Sequence, residues 1–162
     1  MTRDRTRPGL FPASIAIALL LGLLPFPEAA AAFKPYWLAL VLTYWLMEAP
    51  ERASLGVAFL VGLLGDLVYG TLLGEQALRL TMLAFIVLRF RARLRFFPLW
   101  QQALAVLVLL ANDRVVVVMV RGFTGEGLPP WEFWLSPLPG ALLWPWLFLL
   151  LDDLRLRTRE RA

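Results

Sequence analysis

The chain has 162 residues, 60% of them hydrophobic, with a mean hydropathy of +0.69, and its apolar runs are broken only by short charged or Pro/Gly segments. That pattern reads as an integral membrane protein and leaves no polar stretch long enough for a separate soluble domain. The net charge is +4, yet the arginines flank the apolar runs instead of gathering on one face, which argues against nucleic acid as a partner, and the lack of Cys and His excludes disulfides, thiolate metal sites and the commonest general base.

Residues 1–162 read as a single transmembrane domain with short tails at 1–10 and 152–162. The first span is expected at 11–24. Its arginine-rich lead and the alanines at 29–32 also imitate a cleavable signal peptide, a reading opposed by Pro25, Pro27 and Glu28. The second span, 36–47, is the weakest alone, because Pro35 and Pro50 bracket it, although the stretch 29–33 extends the embedded segment.

The third span, 55–73, carries Asp66 within an apolar run. Ala58, Gly62, Asp66, Gly70 and Gly74 recur every fourth residue, which places them on one helix face. A charge at mid-bilayer costs at least ~2.5 kcal/mol and faces protein or a cavity rather than lipid. Small residues at this spacing admit a second helix backbone, so the face reads as a helix-packing or partner-binding surface.

The fourth span, 78–88, runs into Arg89, Arg91, Arg93 and Arg95, a cytoplasmic basic segment suited to anionic membrane lipids. The fifth, 99–120, is interrupted by Asn112-Asp113-Arg114. Neighbours on a helix diverge by about 100°, so Asp113 and Arg114 do not readily neutralise each other and at least one needs a partner elsewhere. Counting depth from the expected outer ends puts Asp66 and Arg114 at the same level, about 10 Å inside, which points to an Asp66–Arg114 ion pair; the alternative is that Arg114 snorkels outward and Asp66 is protonated or hydrogen-bonded to a neighbouring helix. A proton relay through Asp66 and Asp113 lacks further ionisable steps.

The loop 122–136 contains Pro129-Pro130-Trp131-Glu132-Phe133-Trp134. Trp131, Phe133 and Trp134 read as a membrane-anchoring or partner-contacting patch. The sixth span is expected at 138–151. Several spans are short for a bilayer, which predicts tilt or local thinning. Twelve arginines fall on one side of this six-span arrangement against Lys34, Arg79 and Arg121 on the other, so both termini are expected in the cytoplasm.

Four segments carry a family resemblance: Phe33-Lys34-Pro35-Tyr36-Trp37 with Tyr44-Trp45; Gly65-Asp66-Leu67 through Gly70 and Leu73-Gly74; Leu99-Trp100-Gln101-Gln102-Ala103-Leu104; and Leu143-Trp144-Pro145-Trp146-Leu147-Phe148. In this order they resemble the rod shape-determining membrane protein MreD family, proteobacterial branch, over nearly the whole chain. Asp66 matches the motif aspartate and Asp113 a second acidic position, while Tyr69 and Arg114 depart from the pattern. The resemblance implies an all-α membrane bundle of about six helices, similar to the substrate-binding subunits of energy-coupling-factor transporters. It also implies a noncatalytic, cofactor-free scaffold of the cell-elongation and peptidoglycan-synthesis machinery, with MreC as principal partner and RodA, its cognate transpeptidase and MreB in one complex.

The alternative function is a vitamin-like small-molecule-binding subunit of a transporter. For that role Glu75, Gln76, Arg79, Arg121, Glu126 and Glu132 give a thin set of polar groups.

Overall fold

The structure is a computed structural model and describes residues 8–161; the arginines at 3, 5 and 7 that contribute to the charge asymmetry lie outside them. Among the described residues there are six α-helices and no strand: α1 (Leu10–Leu23), α2 (Trp37–Glu48), α3 (Leu55–Tyr69), α4 (Glu75–Phe96), α5 (Leu99–Thr124) and α6 (Pro137–Glu160). Two short 3-10 turns, Glu28–Phe33 and Trp131–Leu135, precede α2 and α6. By length and apolar composition two stretches can cross a membrane unaided, Leu99–Thr124 and Trp131–Glu160.

The segment that looks weakest in the sequence is the centre of the fold. Every residue of α2 from Leu38 to Met47 is buried, as expected of a helix that is apolar all round and enclosed by neighbours. Those neighbours are α1, α4 and α6. The Trp45 indole N–H donates to Ser14 Oγ at 2.8 Å, and the Phe11 ring meets Trp45 edge-on at 5.5 Å. On the opposite side Tyr44 meets the Phe148 ring of α6 at 5.4 Å, and its hydroxyl donates to Asp152 at 3.2 Å. Such edge-on aromatic pairs add about 0.5–1.5 kcal/mol each beyond their buried area. Ile15, Ala18 and Leu19 of the first helix lie in the same core as α2.

Local chemistry sets the helix ends. Ser54 caps α3, its hydroxyl accepting from the Val57 N–H. Gly70 ends that helix in the left-handed region at φ 65°, and Gly74, at φ 99°, opens α4. The third helix thus stops at Tyr69, short of the expected residue 73, and Gly70 and Gly74 belong to a turn instead of a helical face. The fourth helix is longer than the expected 78–88, because arginine is a good helix former and Arg93 and Arg95 sit favourably at its C-terminal end. The alanines at 29–32 form their own 3-10 turn instead of extending the second span.

Of the expected small-residue face, Gly62 fulfils the packing role within the chain. A Cβ at that position would run into the backbone of Ala77 and Gln76, so α3 and α4 touch main chain to main chain. Gly22 makes a similar allowance, for the Tyr69 ring, whose hydroxyl donates to the Leu19 carbonyl. Gly122, in contrast, faces open space.

These two glycines give a paired test. Gly62→Ala is expected to destabilise the bundle by about 1–3 kcal/mol through overpacking, whereas Gly122→Ala is neutral or mildly stabilising through helix propensity. Thermal unfolding of the detergent-solubilised chain, followed by far-UV circular dichroism, separates the two.

Candidate functional site

The polar residues singled out by sequence converge at the end of the bundle formed by the two 3-10 turns and the α3–α4 turn. Asp66, on the last turn of α3, is 2% exposed. Its carboxylate accepts from Thr71 Oγ1 at 2.7 Å and from the Gly74 and Gln76 backbone N–H groups at 2.8 Å each. These donors are hydrogen-bonding groups that the tight turn would otherwise leave unmatched at the start of α4. A carboxylate meets that need better than a neutral acceptor, because charge-assisted hydrogen bonds are roughly twice as strong.

The expected Asp66–Arg114 pair does not form. Depth along straight helices placed the two level, but the chain turns at Gly70 and points the Asp66 carboxylate into that turn. The buried acid that does take a cation is Asp113, and that cation is Arg79 of α4. Its guanidinium holds Asp113 of α5 in a two-pronged contact, Nε to Oδ1 at 2.8 Å and Nη2 to Oδ2 at 2.7 Å, and both side chains are buried. Arg79 also lies 3.9 Å from Glu75 and 4.4 Å from the centre of the Tyr36 ring. Tyr36 in turn donates its hydroxyl to Gln76 Oε1. One polar chain therefore runs Thr71, Asp66, Gln76, Tyr36, Arg79, Asp113, tying the starts of α2 and α4 to α3 and to the middle of α5.

Charge placement along the sequence sets Arg79 on the outer side with Lys34 and Arg121 and does not reveal it as the partner of Asp113. The signal that identifies it is local: Glu75 and Arg79 are four apart on one helix, and every buried acid in a membrane requires a cation or several donors.

Arg114, next to Asp113, points elsewhere. Its guanidinium sits 4.8 Å from the centre of the Phe133 ring, and Phe133 meets Trp134 edge-on at 5.6 Å. Trp131 and Trp134 are exposed. Arg114, Phe133 and Trp131 line a cavity of about 1000 Å³ between the two 3-10 turns, together with Lys34, Tyr36, Tyr69, Gln76, Arg79 and Arg121. Of the six polar groups that look sparse along the sequence, Gln76, Arg79, Arg121 and Glu132 line this cavity, and Glu75 and Glu126 are not among its lining residues.

The opposite end of the bundle is basic. Glu48, closing α2, pairs with Arg155 of α6 at 3.0 Å and lies 3.7 Å from Arg95. Arg91 donates to the Met47 carbonyl at 2.7 Å, capping the C-terminal end of α2. Arg89 and Arg93 are exposed. The arginine run of α4 is thus divided: Arg91 is partly covered, Arg95 is exposed but reaches Glu48, and Arg89 and Arg93 are turned outward.

The profile of the rod shape-determining protein MreD family matches residues 3–154. The chain belongs to the MreD family. It is 36% identical over 143 residues to the rod shape-determining protein MreD of Haemophilus influenzae, a match that covers 88% of each chain. No solved structure matches. Membership makes this a membrane protein of rod-shape determination, and Asp66 and Asp113 lie within the matched residues.

Breaking the Arg79–Asp113 contact from one side leaves an uncompensated buried charge, at a cost of about 3–5 kcal/mol. Arg79→Gln and Asp113→Asn are therefore each expected to lower the melting temperature strongly, and the paired Arg79→Leu with Asp113→Leu to recover much of the loss. Exchanging Asp66 with Arg114 is expected to restore nothing relative to Asp66→Arg alone. Melting curves of the purified chain and its membrane abundance read both outcomes.

Proposed function

We infer that the protein is a noncatalytic membrane scaffold of the cell-elongation machinery that binds MreC and connects it to the glycosyltransferase RodA, its cognate transpeptidase and MreB filaments. Membership of the MreD family carries this reading. It is supported by the use made of the buried charges: Asp66, Arg79, Asp113, Glu48 and Arg155 are engaged in bonds that join helices. A fixed network of that kind suits a platform, because satisfied buried polar groups favour one arrangement of the helices.

The scaffold sits in the bacterial inner membrane with all six helices embedded and both termini in the cytoplasm. The arginines clustered at the Glu48 end mark the cytoplasmic side, and the cavity end faces outward. A six-helix bundle with a cavity at one end is also what supports the likeness to the substrate-binding subunits of energy-coupling-factor transporters.

The partner's membrane helix meets the bundle through exposed residues, since Gly62 and Asp66 are covered by α4 and its preceding turn. The outward face of α3 offers Leu60, Leu64 and Leu67, spaced four and three apart and all exposed. That spacing is the pattern a docked helix reads. Trp131 and Trp134 extend the contact surface beyond the bilayer, and Arg89 and Arg93 face the anionic lipids and acidic partners of the cytoplasmic side.

Photocrosslinkers at Leu64, Leu67, Trp134 and Arg93 in living cells test this scaffold, with Gly62 as the covered control. Crosslinks to MreC from the α3 face or from Trp134 are expected; crosslinks to lipid alone at all four sites overturn the interface. Orientation has its own test, since the chain contains no cysteine. A membrane-impermeant maleimide is expected to label Gly127→Cys in spheroplasts and Leu156→Cys only after the membrane is opened.

A further inference from the structure

The cavity between the two 3-10 turns contains a charge that the scaffold does not use. Four cations line it, and three are engaged within the chain: Arg79 with Asp113, Arg121 with Glu126 at 3.0 Å, and Lys34 with the Gly22 carbonyl. Arg114 has neither a hydrogen bond nor an ion pair among the described residues, only the face of Phe133. Its sequence neighbour Asp113 has both oxygens taken by Arg79. The two carboxylates on the cavity wall, Glu28 and Glu132, are exposed, and neither pairs with it.

A guanidinium stacked on an aromatic ring keeps its in-plane N–H donors available, which is the geometry that receives a carboxylate or phosphate bidentately. Arg114 is also expensive where it stands. It lies seven residues before Arg121, about 10 Å along the helix, and an ionised side chain within a membrane span ordinarily has a partner.

The surrounding space fits a ligand. At about 1000 Å³ it matches the upper end of small-molecule sites, and Phe33, Trp37, Trp131 and Phe133 give it the aromatic walls such sites have. Leu23 belongs both to the cavity lining and to the exposed side of α1, where Leu20 and Leu24 are also exposed. The cavity is thus continuous with an apolar surface.

We propose that this cavity binds an organic anion, with one carboxylate or phosphate group held by Arg114 and an apolar or aromatic body against the ring-lined walls. The same chemistry is offered by an anionic membrane amphiphile entering past Leu23 and by a water-soluble aromatic acid entering between the turns. Binding supplies the counter-charge that Arg114 lacks and bridges α5 to both 3-10 turns. The proposal goes beyond the scaffold reading and stands or falls independently of MreC binding.

The test is native mass spectrometry of the full chain in nanodiscs, in two arms. One uses phosphatidylcholine doped with phosphatidylglycerol; the other uses phosphatidylcholine alone with 2-naphthoate in solution. One retained anion per chain is expected in at least one arm, with phosphatidylglycerol retention assigning the amphiphile source and naphthoate retention alone assigning the soluble one. In that arm Arg114→Gln is expected to cut occupancy about tenfold by removing the charge-assisted bonds. Ala31→Trp, which adds an indole to the cavity wall and leaves Arg114 in the sequence, is expected to do the same, while the outward-facing Arg93→Gln leaves occupancy unchanged. Melting curves run alongside identify variants that fail to fold, and Ala31→Trp decides the matter if Arg114→Gln is one of them. Absence of a retained anion in both arms overturns the proposal, as does equal occupancy in the wild type and a folded Arg114→Gln or Ala31→Trp.

Discussion

The bundle depends on a single carboxylate that matches the donors of a tight turn. Asp66 sits on the last turn of α3 and collects Thr71, Gly74 and Gln76 within the next ten residues, so the same side chain ends one helix and starts the next. In a bilayer an open turn at this point would expose backbone groups to a medium that cannot hydrogen-bond them, at several kcal/mol each. Once the turn is closed, α4 is held so near α3 that Gly62 must lack a side chain. Gln76 is then positioned to receive the Tyr36 hydroxyl at the start of α2. Arg79, one turn further on, is brought level with Asp113. Each later contact inherits its geometry from the Asp66 turn.

Much of this was legible in the sequence, and the parts that were not share one cause. The helices were visible as apolar runs, and the peculiarity of Asp66 was visible because packing alone never calls for a carboxylate. The need of Asp113 or Arg114 for a remote partner followed from the angle between adjacent helical residues. Which partner did not follow. A count of depth assumes straight, continuous helices, and Gly70 and Gly74, which every-fourth-residue spacing assigns to a helical stripe, instead carry the positive φ values of a turn. Spacing defines a face only while the helix lasts. The centrality of α2 was equally hidden: Pro35 and Pro50 make it look marginal, and only enclosure by α1, α4 and α6 explains why a twelve-residue apolar helix is stable.

The two ends of the bundle solve the problem of charge differently. At the basic end Glu48 draws Arg155 and Arg95 onto the C-terminal end of α2, and Arg91 satisfies the Met47 carbonyl, so arginines close the helix end. The remaining members of that run, Arg89 and Arg93, stay outward because residues spaced two apart on a helix cannot share one face. At the cavity end the acids take precedence. Asp66 and Asp113 are satisfied by donors from α4 and its turn, and the cation left over is Arg114.

That remainder is a consequence of helical geometry. Asp113 must face α4 to meet Arg79, and Arg114, about 100° further round, is then carried off the α4–α5 contact towards the Trp131–Leu135 turn. The Phe133 ring there offers its face to the guanidinium, an attraction of about 0.5–2 kcal/mol, which is less than the cost of holding an ionised side chain within a span. Rotating α5 to bring Arg114 under cover would pull Asp113 away from Arg79 and forfeit the stronger two-pronged contact. The arrangement that seals the core of the bundle therefore leaves a charge at the edge of the cavity, and the fold cannot remove the second without breaking the first.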